Sequence, residues 1–146
     1  MSACINARIG YNDGMGAILF LAAGAAATAV SMQEGTPQAA VKIVEGFAIA
    51  ASENQERAVA LIAPGSMFYM GDYAGPTSEK LLVARVASCR LLSVRLKDGT
   101  NDRVNAIWNC PVPKGGKLAR RELRVTFIVG KNITGGEGEY VGYARK

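Results

Sequence analysis

The segment Glu122-Leu-Arg-Val-Thr-Phe-Ile-Val129 alternates. Leu123, Val125, Phe127 and Val129 are apolar, and Arg124 and Thr126 stand between them. A period of two places one set on each face of a pleated strand, and a helix has no use for that pattern. A strand needs paired neighbours, and the flanking sequence supplies them. Lys97-Asp98-Gly99-Thr100 reads as a hairpin turn, because Asp-Gly tolerates the positive φ angles such turns need. Val104 to Val112 reads as the returning strand, Lys114-Gly115-Gly116-Lys117 as a second turn, and Glu139 to Tyr143 as a last short strand.

Upstream the same reading continues. Ala40 to Ala51 is expected as a strand, with Val41 and Ile43, then Phe47 and Ile49, two apart and Gly46 at a bulge. Ser52 to Glu56 is expected as a polar loop, Arg57 to Ala63 as a strand ended by Pro64-Gly65, and Met67 to Met70 as a short apolar strand closed by Gly71. Leu81 to Leu96 fits a helix or a strand. The 146 residues, 49% hydrophobic and 20% charged, fit one globular domain. The expected fold is mainly β: a small antiparallel β-barrel or sandwich with at most one or two short helices. Residues 1–146 form one domain on this reading, with 1–38 an apolar segment packed on it and 79–146 a basic half.

Gly14 to Gln33 carries no charge. Three readings compete for it. It is somewhat short of apolar residues for a membrane helix, and its second half is mostly alanine. Ala27-Thr28-Ala29 resembles a leader-peptidase site, but Asp13 offsets Arg8 in the region that should be basic. The preferred expectation is a buried pair of strands broken at Ala23-Gly24, with small residues permitting close packing.

The chain contains no histidine, which removes Ser-His-Asp and Cys-His catalysis and the commonest zinc ligand. Cys4, Cys89 and Cys110 form no C-x-x-C pair. An odd number points to buried free thiols in a reducing compartment. Pairing of Cys89 with Cys110 belongs to the alternative in which residues 1–29 are a leader. No catalytic, metal or cofactor-binding residue is expected. Lys114-Gly115-Gly116-Lys117 lacks phosphate-loop spacing, Gly135-Gly136-Glu137-Gly138 lacks the dinucleotide pattern, and Glu53 and Glu56 read as solvated charges.

Charge is unevenly placed. Residues 1–78 hold three cations against six acids, a net −3, and residues 79–146 hold fourteen against six, a net +8. Such asymmetry suits an acidic partner: nucleic acid, acidic protein or an anionic surface. Lys114, Lys117, Arg120, Arg121 and Arg124, with Trp108 and Tyr140, are the candidate contacts, by charge and base stacking.

The run from Ala40 to Met70 carries the phrase Gly46-Phe47-Ala48-Ile49-Ala50, then a polar loop, an alternating segment, a glycine and a short apolar run. It resembles the repeated theme of tailed-phage head decoration (cement) proteins. The resemblance implies small β-barrel subunits that cluster on a capsid lattice and carry no catalytic residues. The expected function is therefore that of a structural virion protein, located in the virion or otherwise in the cytoplasm. Its expected partners are capsid subunits and copies of itself, and no membrane is expected. The alternative is a small β-barrel that binds single-stranded nucleic acid.

Overall fold

The computed structural model describes residues 35–71 and 75–146, so the stretch from Gly14 to Gln33 and Cys4 lie outside the described residues. Helix α1 spans Pro37–Glu53 and helix α2 spans Gln55–Ala60; strand β1 spans Ile62–Met70 and β2 spans Pro76–Thr77. Helix α3 spans Glu79–Ala87, followed by β3 (Arg90–Leu96), β4 (Arg103–Cys110), β5 (Leu118–Val129) and β6 (Ile133–Ala144).

Ala40 to Ala51 is helix, not the expected strand. Thr36 caps it by accepting from the Ala39 N–H, and Pro37 takes the first turn, where its missing N–H costs nothing. Ala40, Val44, Phe47, Ala48 and Ala51 recur at helical spacing and are buried, whereas Ile49, expected to alternate inward, is 54% exposed. The polar loop expected at Ser52 to Glu56 is a helix junction. Asn54 ends α1 through its N–H to the Ala50 carbonyl, and its side chain starts α2 by accepting from the Arg57 N–H. Arg57 to Ala60 is therefore helical too. Pro64-Gly65 does not end a strand: it lies inside β1, where the register shifts between Ile62 and Met67 and Gly65 takes φ +81°. The stretch from Leu81 to Leu96 is both helix and strand. Ser78 caps α3, which buries Leu82, Val83 and Val86, and β3 follows.

The mainly-β class holds, with one six-stranded mixed sheet in the order β2-β1-β6-β5-β4-β3. The sheet is open, not a barrel or a two-sheet sandwich. Its edges are the two-residue β2 and β3, and one face is covered by helices instead of a second sheet. The helices also exceed the one or two short ones expected, since α1 alone has 17 residues. The expected Asp-Gly hairpin joins β3 to β4, with Gly99 at φ +78° and Lys97 donating to the Arg103 carbonyl. Strand β5 buries Leu123, Val125, Phe127 and Val129, as its alternation implies.

The core lies between the helices and this face. Phe127 is its centre: Phe47 of α1, Phe68 of β1 and Trp108 of β4 each meet its ring edge-on, at 5.4, 6.2 and 6.2 Å between centroids. Gly136 of β6 sits opposite Phe127 and Phe68 in register, and an added Cβ there would meet the Thr126 carbonyl oxygen at 2.6 Å. Cys89, just after α3, is joined to Cys110 at the end of β4 by a disulfide. The expectation of free thiols at these positions is thereby corrected. Two cysteines far apart in sequence meet because β3 and β4 pair from Arg90 and Asn109 onward.

Candidate functional site

Because the helices fill one face, the other carries the surface chemistry. The register lines up Tyr69, Glu137, Thr126, Asn105 and Arg95 as one rung across β1, β6, β5, β4 and β3. Neighbouring rungs add Glu139, Arg124 and Ile107 on one side and Met67, Ile128 and Arg103 on the other. These side chains border an open trough of about 710 Å³ lined by Tyr69, Arg95, Asn105, Arg124, Glu137 and Glu139 among others. Thr126 donates to Asn105 Oδ1 at 2.8 Å, which fixes the middle of the rung. Charge is sorted across the sheet, with Glu137 and Glu139 on β6 at one flank and Arg95 and Arg103 on β3 and β4 at the other. Met67 and Tyr69, each 55% exposed, extend the acidic flank with apolar surface.

One end of this face is tied down. Glu122 is buried, and its Oε2 accepts from Arg124 Nη2 at 3.0 Å and from the Tyr143 hydroxyl at 3.1 Å. Arg124 Nη2 also lies 2.7 Å from that hydroxyl, and Arg120 approaches the other carboxylate oxygen at 3.6 Å while lying over the Tyr143 ring. The hydrogen bond from Arg124 holds the Glu122 carboxyl below the usual carboxylate range, against the opposing effect of burial. The same bond raises Arg124 above an ordinary guanidinium. Both groups are thus locked in their charged forms, the reverse of what proton transfer near neutrality requires.

The expected contact residues divide into four groups. Lys114, Lys117, Arg120 and Arg121 come together at the end of the sheet where β4 stops and β5 starts. Arg124 lies further in and is engaged by Glu122. Trp108 is no contact residue: it is 1% exposed and belongs to the core around Phe127. Tyr140 lies on the helix side, half-buried, with Arg121 over its ring at 4.5 Å and Arg85 of α3 at 5.7 Å. Arg121 Nε is buried without a hydrogen-bond partner among the described residues. The sequence reading missed Glu137, Glu139, Arg95 and Tyr69, which sit on three different strands. Alternate spacing of Glu137 and Glu139 was the one visible sign of them.

Other motifs take ordinary places. Gly135 to Gly138 lies within β6, Glu53 and Glu56 are exposed at the α1–α2 junction, and Gly115 supplies a positive φ to the turn before β5. Among the described residues, no three His, Cys, Asp or Glu side chains gather as a metal site needs, and no helix is long and apolar enough to cross a membrane.

No protein-family model matches the sequence, and comparison with curated proteins yields no match. Two solved structures show a distant likeness. A protein from Sphaerobacter thermophilus shares 14% identity over 68% of this chain and 93% of its own, with a TM-score of 0.49. An NTF2-like protein with a cystatin-like fold from Novosphingobium aromaticivorans shares 15% identity over 69% of this chain and 79% of its own, with a TM-score of 0.41.

Proposed function

We propose that this chain is a non-catalytic structural subunit that associates with copies of itself through the open face of its sheet. The observation that carries the reading is the sorting of charge on that face. Glu137 and Glu139 occupy one flank and Arg95 and Arg103 the other, so a second copy turned by a two-fold rotation sets acid over base on both sides. Such an interface is self-complementary, as a two-fold contact must be. Tyr69 and Met67 add the aromatic and apolar anchors that dominate interface energetics.

The area is sufficient but small. Five strands spaced about 4.8 Å apart, over about seven residues at 3.3 Å each, give roughly 550 Å² per partner. The total, roughly 1,100 Å², stands just above the ~1,000 Å² that a specific interface needs. Catalysis finds less support. The helix side is packed by aromatic rings, the trough is open to water, and the Glu122–Arg124 pair is fixed in charge.

This reading is the broader form of the capsid-subunit expectation. A capsid lattice is the partner that the resemblance over residues 39–70 suggests, but α1 occupies the position of that theme's first strand. Single-stranded nucleic acid is less favoured, because Trp108 is buried and Tyr140 and Tyr143 are each covered by an arginine, so that none of the three rings near the basic cluster is freely open to a base. Sedimentation equilibrium of the full chain tests the proposal. The expected result is a dimer at tens of micromolar that Tyr69→Arg converts to monomer. A wild-type monomer at that concentration contradicts it.

A further inference from the structure

The cations at the end of the sheet form a second surface, at the strand ends that border the open face. Strand β3 starts at Arg90, opposite Asn109, and the adjoining ladder rungs hold Arg121 with Cys110 and Gly142, then Arg120 with Tyr143. Lys114 and Lys117 project from the turn between β4 and β5, and both are exposed. Arg145 and Lys146 follow the end of β6, and Arg145 is drawn in by hydrogen bonds to the backbone: its N–H donates to the Lys117 carbonyl and its Nε to that of Leu118. Glu122, one residue inward of Arg121, is buried and already shared between Arg124 and Arg120.

Arg120 and Arg121 are neighbours in a strand, so they leave it on opposite faces. Arg120 lies over Tyr143 on the open side, with its guanidinium carbon 4.1 Å from the ring centre. Arg121 lies over Tyr140 on the helix side. Each ring holds its guanidinium by cation–π attraction and covers only one face of it, which leaves N–H groups at the edge for an anion. A polymer lying in a groove on either face meets only half of these cations. A flat partner that meets the strand ends head-on reaches both arginines, the turn lysines and the C-terminal pair together.

We propose that this pole docks on an anionic lipid surface, through phosphate headgroups, while the open face remains available to a second copy. Arg90, Lys114, Lys117, Arg120, Arg121, Arg145 and Lys146 make the contact mainly electrostatic, with Leu92, 43% exposed two residues along β3 from Arg90, as the large apolar side chain beside them. The Cys89–Cys110 disulfide is consistent with an oxidising compartment, where a membrane surface is a more common polyanion than nucleic acid.

Flotation of the full chain with vesicles of phosphatidylcholine and phosphatidylglycerol, 7:3, tests this. One triple variant removes Lys114, Lys117 and Lys146, all to alanine. A second removes Lys42, Arg57 and Lys131, also exposed and away from the pole. Both lower the net charge equally. At about 1 kcal/mol per cation near such a surface, the pole variant should lose about 100-fold in apparent affinity, and the control less than 3-fold. Added salt should weaken wild-type binding. Equal losses in the two variants, equal binding to pure phosphatidylcholine, or salt-sensitive binding to a single-stranded oligonucleotide without vesicle binding would each overturn the proposal.

Discussion

Reducing the Cys89–Cys110 bond should destabilise the fold by about 3 kcal/mol. The two cysteines are 21 residues apart in sequence, and the segment between them is the β3–β4 hairpin. Cross-linking a loop of that length removes entropy from the unfolded chain of about 2.1 + 1.5R ln 21, or about 11 cal/mol/K. At 25 °C this amounts to about 3.3 kcal/mol. Residual Asp-Gly hairpin in the unfolded state trims the figure, because the loop is then partly closed without the bond. Urea unfolding with and without dithiothreitol measures it. For a slope of about 1.5 kcal/mol/M, the midpoint should fall by about 2 M on reduction. Thiol titration of the unreduced, unfolded protein should find one reactive group, Cys4, of the three cysteines. Three reactive thiols, or a midpoint unmoved by reductant, would refute the pairing.

Gly136→Ala should cost about 1–3 kcal/mol in the same unfolding assay, since its Cβ would lie 2.6 Å from the Thr126 carbonyl oxygen and strand β6 has no slack between β5 and β1. A neutral result would mean that the strands part more easily than this packing allows. Trp108→Ala should lower stability by about 3–5 kcal/mol through the cavity it leaves beside Phe127; a loss confined to ligand binding would contradict its place in the core. Glu122 has a lowered folded-state pKa, so its stabilisation is present above the usual carboxylate range and is lost as pH falls through and below that range. Replacing Glu122 with glutamine should therefore flatten the acid limb of a stability–pH curve between about pH 5 and 2, and an unchanged limb would show that the Arg124–Tyr143 network contributes nothing.

How far the sequence could be read depends on how local each determinant is. Strand β5 and the Asp98-Gly99 turn follow from alternation and a positive-φ glycine, and both were legible. Helix α1 was not, because its alanines and Gly46 leave few large side chains to mark a period. Val41/Ile43 and Phe47/Ile49 mimic a strand, and Thr36-Pro37 and Asn54 were the overlooked boundary signs. The odd cysteine count hid the disulfide, since which two thiols meet depends on the β3–β4 register. Nearby basic residues in sequence led to the pole, where Lys114 to Arg121 do converge, but Trp108 was drawn in by sequence proximity alone. The rung from Tyr69 to Arg95 draws one residue from each of five strands, and no spacing along the chain reveals it.

The self-associating face is tested most directly by charge exchange. Glu137→Lys with Glu139→Lys reverses one flank, and Arg95→Glu with Arg103→Glu reverses the other. Each double variant alone should sediment as a monomer, because two like-charged flanks then oppose each other. Mixed in equal amounts, the two should pair with each other, because the two basic flanks of one then lie over the two acidic flanks of the other. The decisive measurement is therefore sedimentation equilibrium of the variant carrying all four substitutions, which restores opposite charges at every contact. The account predicts monomers for each double variant and recovery of the dimer in the quadruple variant. Double variants that remain dimeric, or a quadruple variant that stays monomeric while folded, would contradict it.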